Sequence, residues 1–458
     1  MDFNFSESVF REYDIRGKAG SEITPEFAAQ LGKAFCSLLL ATNPDAREHP
    51  IIIGRDVRLS SPQLSEVIIH SVTASGFDVI DIGMVPTPLA YFSVFHMQAA
   101  GCIMVTASHN PGADNGFKIM KGRDSLHGDD IQEIRRRMQM QHVSAPQQGS
   151  VTSIDIMQDY LDFLCAQAAP VKPAKIVVDA GNGPTGIVAV PLLQRLGCEV
   201  IPLFCEPDGH FPNHHPDPSR CENLEDLIQA VRDANADFGV AYDGDGDRIG
   251  VVDHHGNVVW NDMLLLMLAR HLLKTRPGIT VISEVKSSNR MYEAIRQAGG
   301  QAIMWRTGHS PIKAKMRETG ALLAGEMSGH MFFADRYYGY DDAIYATLRI
   351  LEMLTAEQKT LPELIADIPK AETTSEIRIT CDDSLKFDII KKAKEHFHAI
   401  GYHPIEVDGL RVEFPYGWGL LRASNTEACL MLRFEAETKP QLQEIRQLFE
   451  GWLSENLP

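Results

Sequence analysis

Short runs of β-branched and apolar residues recur along the first four-fifths of the chain, each followed by a polar loop and an amphipathic stretch. The runs lie at residues 50–54, 77–83, 101–105, 175–179, 238–242, 280–282 and 321–324. Strand-length runs alternating with segments of helical period predict α/β units built on parallel strands. Open sheets of this kind bind ligands at the carboxyl ends of their strands, so the polar loops after the runs are where function is to be sought.

The 458 residues accommodate three or four domains of roughly 100–150 residues each. A polar connector, Ser144-Ala145-Pro146-Gln147-Gln148-Gly149-Ser150, marks the first break, and a third block begins near Gly256. After Pro369 the pattern changes to strand-like Glu376-Ile377-Arg378-Ile379, a helix near 384–400, further strands and a closing amphipathic helix, which reads as an α+β unit. The expected domains are 1–150, 151–255, 256–368 and 369–458.

With 43 basic and 61 acidic side chains the net charge is −18. A nucleic-acid binder carries a basic stripe, whereas the best run here, Arg135-Arg136-Arg137, sits in a polar helical stretch with acidic neighbours and reads as a solvated face. No apolar run approaches the roughly 20 residues of a membrane-spanning helix. The first residues lack a basic segment followed by an apolar one, so a cytoplasmic protein is expected. Eight scattered cysteines show no Cys-x-x-Cys pair or zinc spacing and read as reduced, mostly buried thiols. An acidic chain repels phosphorylated ligands at long range, so a phosphate site would need local Arg, Lys, backbone N–H groups and a cation.

Four loops carry chemistry. Asp243-Gly244-Asp245-Gly246-Asp247-Arg248 follows a buried run, and its alternate carboxylates can converge on one side of a tight loop around a hard cation such as Mg²⁺. Isolated acidic loops are also solvated turns. The calcium-loop reading fails because His254 stands at the twelfth position.

Ser108, in Thr106-Ala107-Ser108-His109-Asn110-Pro111, reads equally as a turn residue or a nucleophile. The Gly-x-Ser-x-Gly elbow of a hydrolase is absent. A serine that carries phosphate needs a nearby cation, which the Asp triplet would supply if the loops face each other. Gly325-Glu326-Met327-Ser328-Gly329-His330 offers partners for vicinal sugar hydroxyls, or a commonplace helix start. Arg422-Ala423-Ser424-Asn425-Thr426-Glu427 offers the inventory of a phosphate grip, or a cap-rich turn.

Taken together with residues 10–17 (Phe-Arg-Glu-Tyr-Asp-Ile-Arg-Gly), these loops resemble, in order and spacing, those of the α-D-phosphohexomutase superfamily, over almost the whole chain. The Glu-Met-Ser-Gly-His form is most similar to the bacterial phosphomannomutase/phosphoglucomutase branch. The resemblance implies three similar mixed-sheet α/β domains and a smaller C-terminal α+β domain around a central cleft. It implies Ser108 as a phosphoserine, with Ser108, Asp243, Asp245 and Asp247 holding Mg²⁺. Glu326 and Ser328 would bind sugar O3 and O4, and Arg422, Ser424, Asn425 and Thr426 the non-reacting phosphate. Tyr13, Arg16, Lys118, Arg248, Lys286 and His309 are further matches. Ala428 stands where the family commonly places Pro, a change that affects loop stiffness rather than hydrogen-bond donors.

The implied reaction interconverts hexose 1- and 6-phosphates through a hexose 1,6-bisphosphate, with Arg16 stabilising charge and Lys118 or His330 assisting proton transfer. Glucose and mannose differ only at C2, so a grip on O3 and O4 predicts that both react. Small-molecule sugar phosphates are the expected partners, acting on a monomer, without nucleic acid or membrane. A metal-dependent phosphatase and a non-catalytic sugar-phosphate binder are the rival classes. Phosphoglucosamine mutase is the rival within the family.

Overall fold

The computed structural model describes residues 5–140, 145–424 and 428–457. The chain separates into two compact units, Met1–Leu264 with Ser328–Glu363, and Leu265–Met327 with Leu364–Pro458.

In the first unit the strand Ile51–Arg55 lies between Val79–Met84 and Gly101–Val105, all three parallel. Ile51 and Ile53 are fully buried with Ile68, Val72 and Ile103, each such side chain stabilising the fold by about 1.5–3 kcal/mol relative to exposure. The covering helix Pro25–Thr42 begins where Thr24 Oγ1 accepts from Phe27 N at 3.2 Å, with Pro25 at its first position. The triple-arginine run lies on the helix Asp129–Met138, where Arg136 and Arg137 pair with Glu133 and Arg135 pairs with Glu7. Val151–Ser153, just after the polar connector, pairs with Val79–Met84 in the first sheet.

The sheets are mixed rather than purely parallel, and the departures fall at the loops of interest. Asp114–Lys121 runs antiparallel to Gly101–Val105, and Ile249–Asp253 runs antiparallel to Phe238–Tyr242. The linking segments, 106–113 and 243–248, are too short for the crossover of about a dozen residues that a parallel return requires. Both are therefore turns at a strand end. Lys175–Asp179 and Glu199–Leu203 complete the parallel part of the second sheet.

In the second unit Thr280–Glu284 pairs in parallel with Gln301–Trp305 and with Leu323–Gly325. The C-terminal part is an antiparallel sheet of Leu410–Phe414, Gly417–Ala423 and Cys429–Ala436, with Ile377–Thr380 also on Cys429–Ala436. The helices Lys386–Ala399 and Lys439–Asn456 pack on it through Phe397 and Phe449. All eight cysteines are free thiols. No helix among the described residues is long and apolar enough to cross a membrane.

Candidate active site

Ser108 sits at the end of the buried strand Gly101–Val105 in a left-handed conformation, φ 51°, which costs a non-glycine residue about 1–3 kcal/mol. Its N–H donates to Thr106 Oγ1 at 2.8 Å and its Oγ donates to Asp243 Oδ2 at 2.7 Å. His109 Nδ1 lies 3.1 Å from the same oxygen. Burial, then the charges of Arg248, Arg16 and Lys118, pushes His109 well below the usual histidine range, so its ring is neutral.

Asp243, Asp245 and Asp247 are fully buried, and each offers an oxygen within 4.8 Å of the others. Asp243 Oδ1 accepts from the backbone N–H groups of Gly246, Asp247 and Arg248 at 3.0–3.1 Å, which folds the loop over its own carboxylate. The glycines are there for space. A Cβ at Gly244 would lie 2.4 Å from Ser108 O, and one at Gly246, where φ is 78°, would lie 2.3 Å from Thr185 Oγ1. Lys118 Nζ donates to Asp245 Oδ2 at 2.7 Å and to Asp247 Oδ2. Burial opposes the Lys118 charge, but Asp245 and Asp247 outweigh it and raise the lysine above its ordinary value. Burial and the neighbouring carboxylates push Asp243 well up. At Asp245 burial acts the same way, but Lys118 overrides it and holds the group low. Asp245 Oδ1 and Asp247 Oδ1 are buried and accept no hydrogen bond among the described residues. A compact all-oxygen set with unengaged lone pairs fits a hard divalent cation.

Arg16 is held by Asp14 (2.6 Å) and donates to Asn110 Oδ1 at 3.0 Å and Ala107 O at 3.3 Å. Burial opposes its charge too, and Asp14 outweighs it. Tyr13 precedes Asp14 and is half-buried. Arg248 Nε donates to His330 Nε2 at 3.0 Å, and His330 Nδ1 lies 2.9 Å from Asp341 Oδ2 and 3.6 Å from Asp247 Oδ1. Ser328, two residues earlier, is half-buried in the same unit.

The second unit gathers the remaining matches into one polar network. Lys286 Nζ lies 3.4 Å from Glu284 Oε1 and 3.3 Å from Glu376 Oε2. Glu284 also accepts from Met327 N at 2.8 Å and from Thr307 Oγ1. Thr307 N donates to Asp408 Oδ2 at 3.0 Å, and Asp408 holds Arg422 through its Nη2 (3.0 Å) and Nε (3.1 Å). Gly308 N donates to Glu326 Oε1, and His309 opens the helix that follows. Burial opposes the Lys286 charge, but Glu284 and Glu376 raise it. Burial would raise Glu376, yet Lys286, Arg378 and Arg422 hold it at about 2. Ser424 is buried, and its carbonyl accepts from Lys386 Nζ at 2.6 Å. Asn425 and Thr426 lie outside the described residues.

Ser108, the Asp triplet, Lys118, Arg248 and His330 are thus linked in the first unit, and Lys286, Glu326 and Arg422 are tied together in the second. Sequence reasoning passed over Asp14, His109, Asp341, Glu284, Glu376 and Asp408. His109, Asp14 and Glu284 carried a local signal, their places beside Ser108, Arg16 and Lys286. Glu376 and Asp408 meet Lys286 and Arg422 from farther along the chain.

Four family profiles match the chain in order: phosphoglucomutase/phosphomannomutase alpha/beta/alpha domain I over residues 7–143, domain II over 158–256, domain III over 260–371, and the C-terminal domain over 376–450. The chain is 44% identical over 446 residues to a phosphomannomutase/phosphoglucomutase of Pseudomonas aeruginosa, covering 97% of this chain and 95% of that one. It is 44% identical over 457 residues to a phosphoglucomutase of Neisseria gonorrhoeae, covering 99% and 98%. A crystal structure of a phosphoglucomutase/phosphomannomutase family protein from Burkholderia thailandensis superposes with a TM-score of 0.90 at 39% identity, covering 98% of each chain. Matched from end to end in sequence and in fold, the chain belongs to the phosphoglucomutase/phosphomannomutase family of the α-D-phosphohexomutase superfamily and is an enzyme.

Proposed function

We infer that the enzyme interconverts hexose 1-phosphates and hexose 6-phosphates of glucose and mannose through a phosphorylated Ser108 and a hexose 1,6-bisphosphate. The observation that carries this reading is the Ser108 hydroxyl, 2.7 Å from one of three converging buried carboxylates. Phosphorylated Ser108 donates its phosphoryl group to the free hydroxyl of the sugar phosphate. The bisphosphate turns end for end, and its other phosphate returns to Ser108.

Asp243, Asp245, Asp247 and Ser108 would hold Mg²⁺, which when bound neutralises charge on the transferring group. Ser108 Oγ gains a proton as its bond to phosphorus breaks, and the hydroxyl so restored donates to Asp243 Oδ2 with the His109 ring beside it. Arg16 and Arg248, anchored by Asp14 and His330, supply fixed positive charge. Lys118, whose Nζ lies 2.7 Å from Asp245 Oδ2, takes the proton that the attacking sugar hydroxyl loses and returns it when that oxygen leaves phosphorus in the second step. His330 accepts from Arg248 through Nε2, so its part is to orient Arg248.

Arg422 and Ser424, with Asn425 and Thr426, take the non-reacting phosphate, and Glu326 and Ser328 take O3 and O4. Lys286, His309 and Tyr13 complete the substrate contacts. The domains carrying these loops are 1–150, 151–255, 256–368 and 369–458, in a monomer of the cytoplasm.

The test is phosphate uptake from glucose 1,6-bisphosphate, followed by intact mass. Wild-type protein gains one phosphate that maps to Ser108, and Ser108→Ala gains none and loses mutase turnover by about 10⁴-fold or more, the scale for removing a covalent nucleophile. Substantial turnover in Ser108→Ala, or inorganic phosphate released in step with substrate loss, rejects the reading. A kcat/KM ratio between glucose 1-phosphate and mannose 1-phosphate beyond about 10³ rejects dual specificity.

A further inference from the structure

Asp56 and Arg58 follow the strand Ile51–Arg55, and both are fully buried. Arg58 Nε donates to Asp56 Oδ2 at 3.1 Å. Nη1 donates to Pro111 O at 2.6 Å and Asp114 O at 2.9 Å, and Nη2 donates to Ser108 O at 2.7 Å and Asn110 O at 2.6 Å. A guanidinium has five N–H groups. All five are engaged here, three of them on carbonyls of the loop that bears Ser108 and one on the first residue of the strand that follows it.

The anchor is itself fixed. Asp56 Oδ1 accepts from Arg58 N at 2.9 Å and from Ser61 Oγ at 2.6 Å, at the start of the helix Ser61–Ala74. The ring of Phe211 lies 5.5 Å from Arg58 Cζ. On its other side the Ser108 carbonyl is confined by Gly244, where an added Cβ would come within 2.4 Å of it.

We propose that Arg58 is the positioning residue for the phosphoryl-carrying oxygen, holding Ser108 by its carbonyl in the left-handed conformation from which Oγ reaches Asp243. With no exposed surface, Arg58 holds the loop in the same way whether or not Ser108 carries phosphate. Lysine cannot replace it, because three donors on one nitrogen do not span four carbonyls. The proposal rests on the reading of Ser108 as the phosphoryl carrier.

Three variants test it, Arg58→Lys, Arg58→Gly and the double variant Asp56→Asn/Arg58→Met, the last of which leaves no unpaired buried carboxylate to unfold the protein. Folding is followed by circular dichroism, phosphate uptake from glucose 1,6-bisphosphate by intact mass, and kcat and KM with glucose 1-phosphate. Phosphate uptake and kcat are expected to fall about 10²-fold, the scale of a 1 Å misplacement, with KM within about threefold of wild type. In Arg58→Gly, added guanidinium should restore turnover where equal sodium chloride does not.

A folded variant with kcat within about threefold of wild type overturns the proposal, as does guanidinium acting no better than salt. Wild-type protein that takes no phosphate on Ser108 removes the underlying reading instead. Wild type that is phosphorylated beside Arg58 variants that turn over normally removes only the role of Arg58.

Discussion

The polar clusters of the two units handle charge in opposite ways. In the first, Lys118 pairs with two of the three buried carboxylates, Asp245 and Asp247, and one oxygen of each accepts no hydrogen bond among the described residues. In the second, Lys286 lies between Glu376 and Glu284, and Asp408 holds Arg422. The first leaves buried carboxylate oxygens unengaged among the described residues, a donor set that fits a hard cation. The second has an acid of its own on each of these two cations, which fixes their orientation. The difference also answers how a chain of net charge −18 handles phosphates. Each cluster carries its cations locally, where a few ångströms outweigh the far field.

The comparison can be broken most forcefully by removing the cation. Chelation by EDTA should lower kcat by about 10²–10³-fold, as loss of a preorganised electrostatic partner does. Mg²⁺ should restore it and raise Tm in a concentration-dependent way. Full activity after chelation would mean that Lys118 alone balances the triplet.

Next in size is Arg422→Ala in the second cluster, which should raise KM for glucose 1-phosphate by roughly 10–100-fold, the loss of one or two charge-assisted hydrogen bonds. Its kcat should change little, because the bond is made equally in ground and transition states. A fall in kcat with KM unchanged would place Arg422 with the first cluster in function.

The smallest effects are opposite pH slopes of stability. Burial raises Asp342, in the first unit, to about 6 although Tyr337, the Tyr345 backbone and Tyr160 donate to it. Its folded value exceeds the unfolded one near 3.9, so its contribution is whole below that value and is lost as pH rises through about 6. Glu376, at about 2, is the reverse: its contribution is present at neutral pH and lost as pH falls through that value. Asp342→Asn should therefore remove roughly 1 kcal/mol of the stability lost between about pH 5 and 7. Glu376→Gln should cost about 1 kcal/mol at pH 7, with some solvent screening of the pair, and little in strong acid. Urea unfolding across pH reads both, and slopes of the same sign would end the contrast.

Much of the fold was legible because strand runs and turn chemistry are local. The runs at 101–105, 175–179 and 238–242 are strands with those bounds. The antiparallel returns after residues 113 and 248 were readable in principle from loop length, since neither connection is long enough for a crossover. The site was legible where one loop carries its own chemistry, as in Asp243–Arg248. It was not legible where a charge is matched from afar: Lys118 meets its acids 127 and 129 residues away, and Arg58 meets the Ser108 carbonyl across 50 residues. The triple arginine, prominent in sequence, is a helix surface paired with glutamates.

The sequence by itself determined which residues are acids, bases and hydroxyls, which strands they follow and how tightly the loops must turn, because backbone propensity and hydrophobic period act over a few residues. Only the tertiary structure decided which charges neutralise each other, that His330 accepts from Arg248, and that one buried arginine holds the carbonyls of Ser108, Asn110, Pro111 and Asp114 with four of its five donors. The reason is burial. A charge removed from water must find a partner wherever the packed chain places one, and that partner has no fixed address in the sequence.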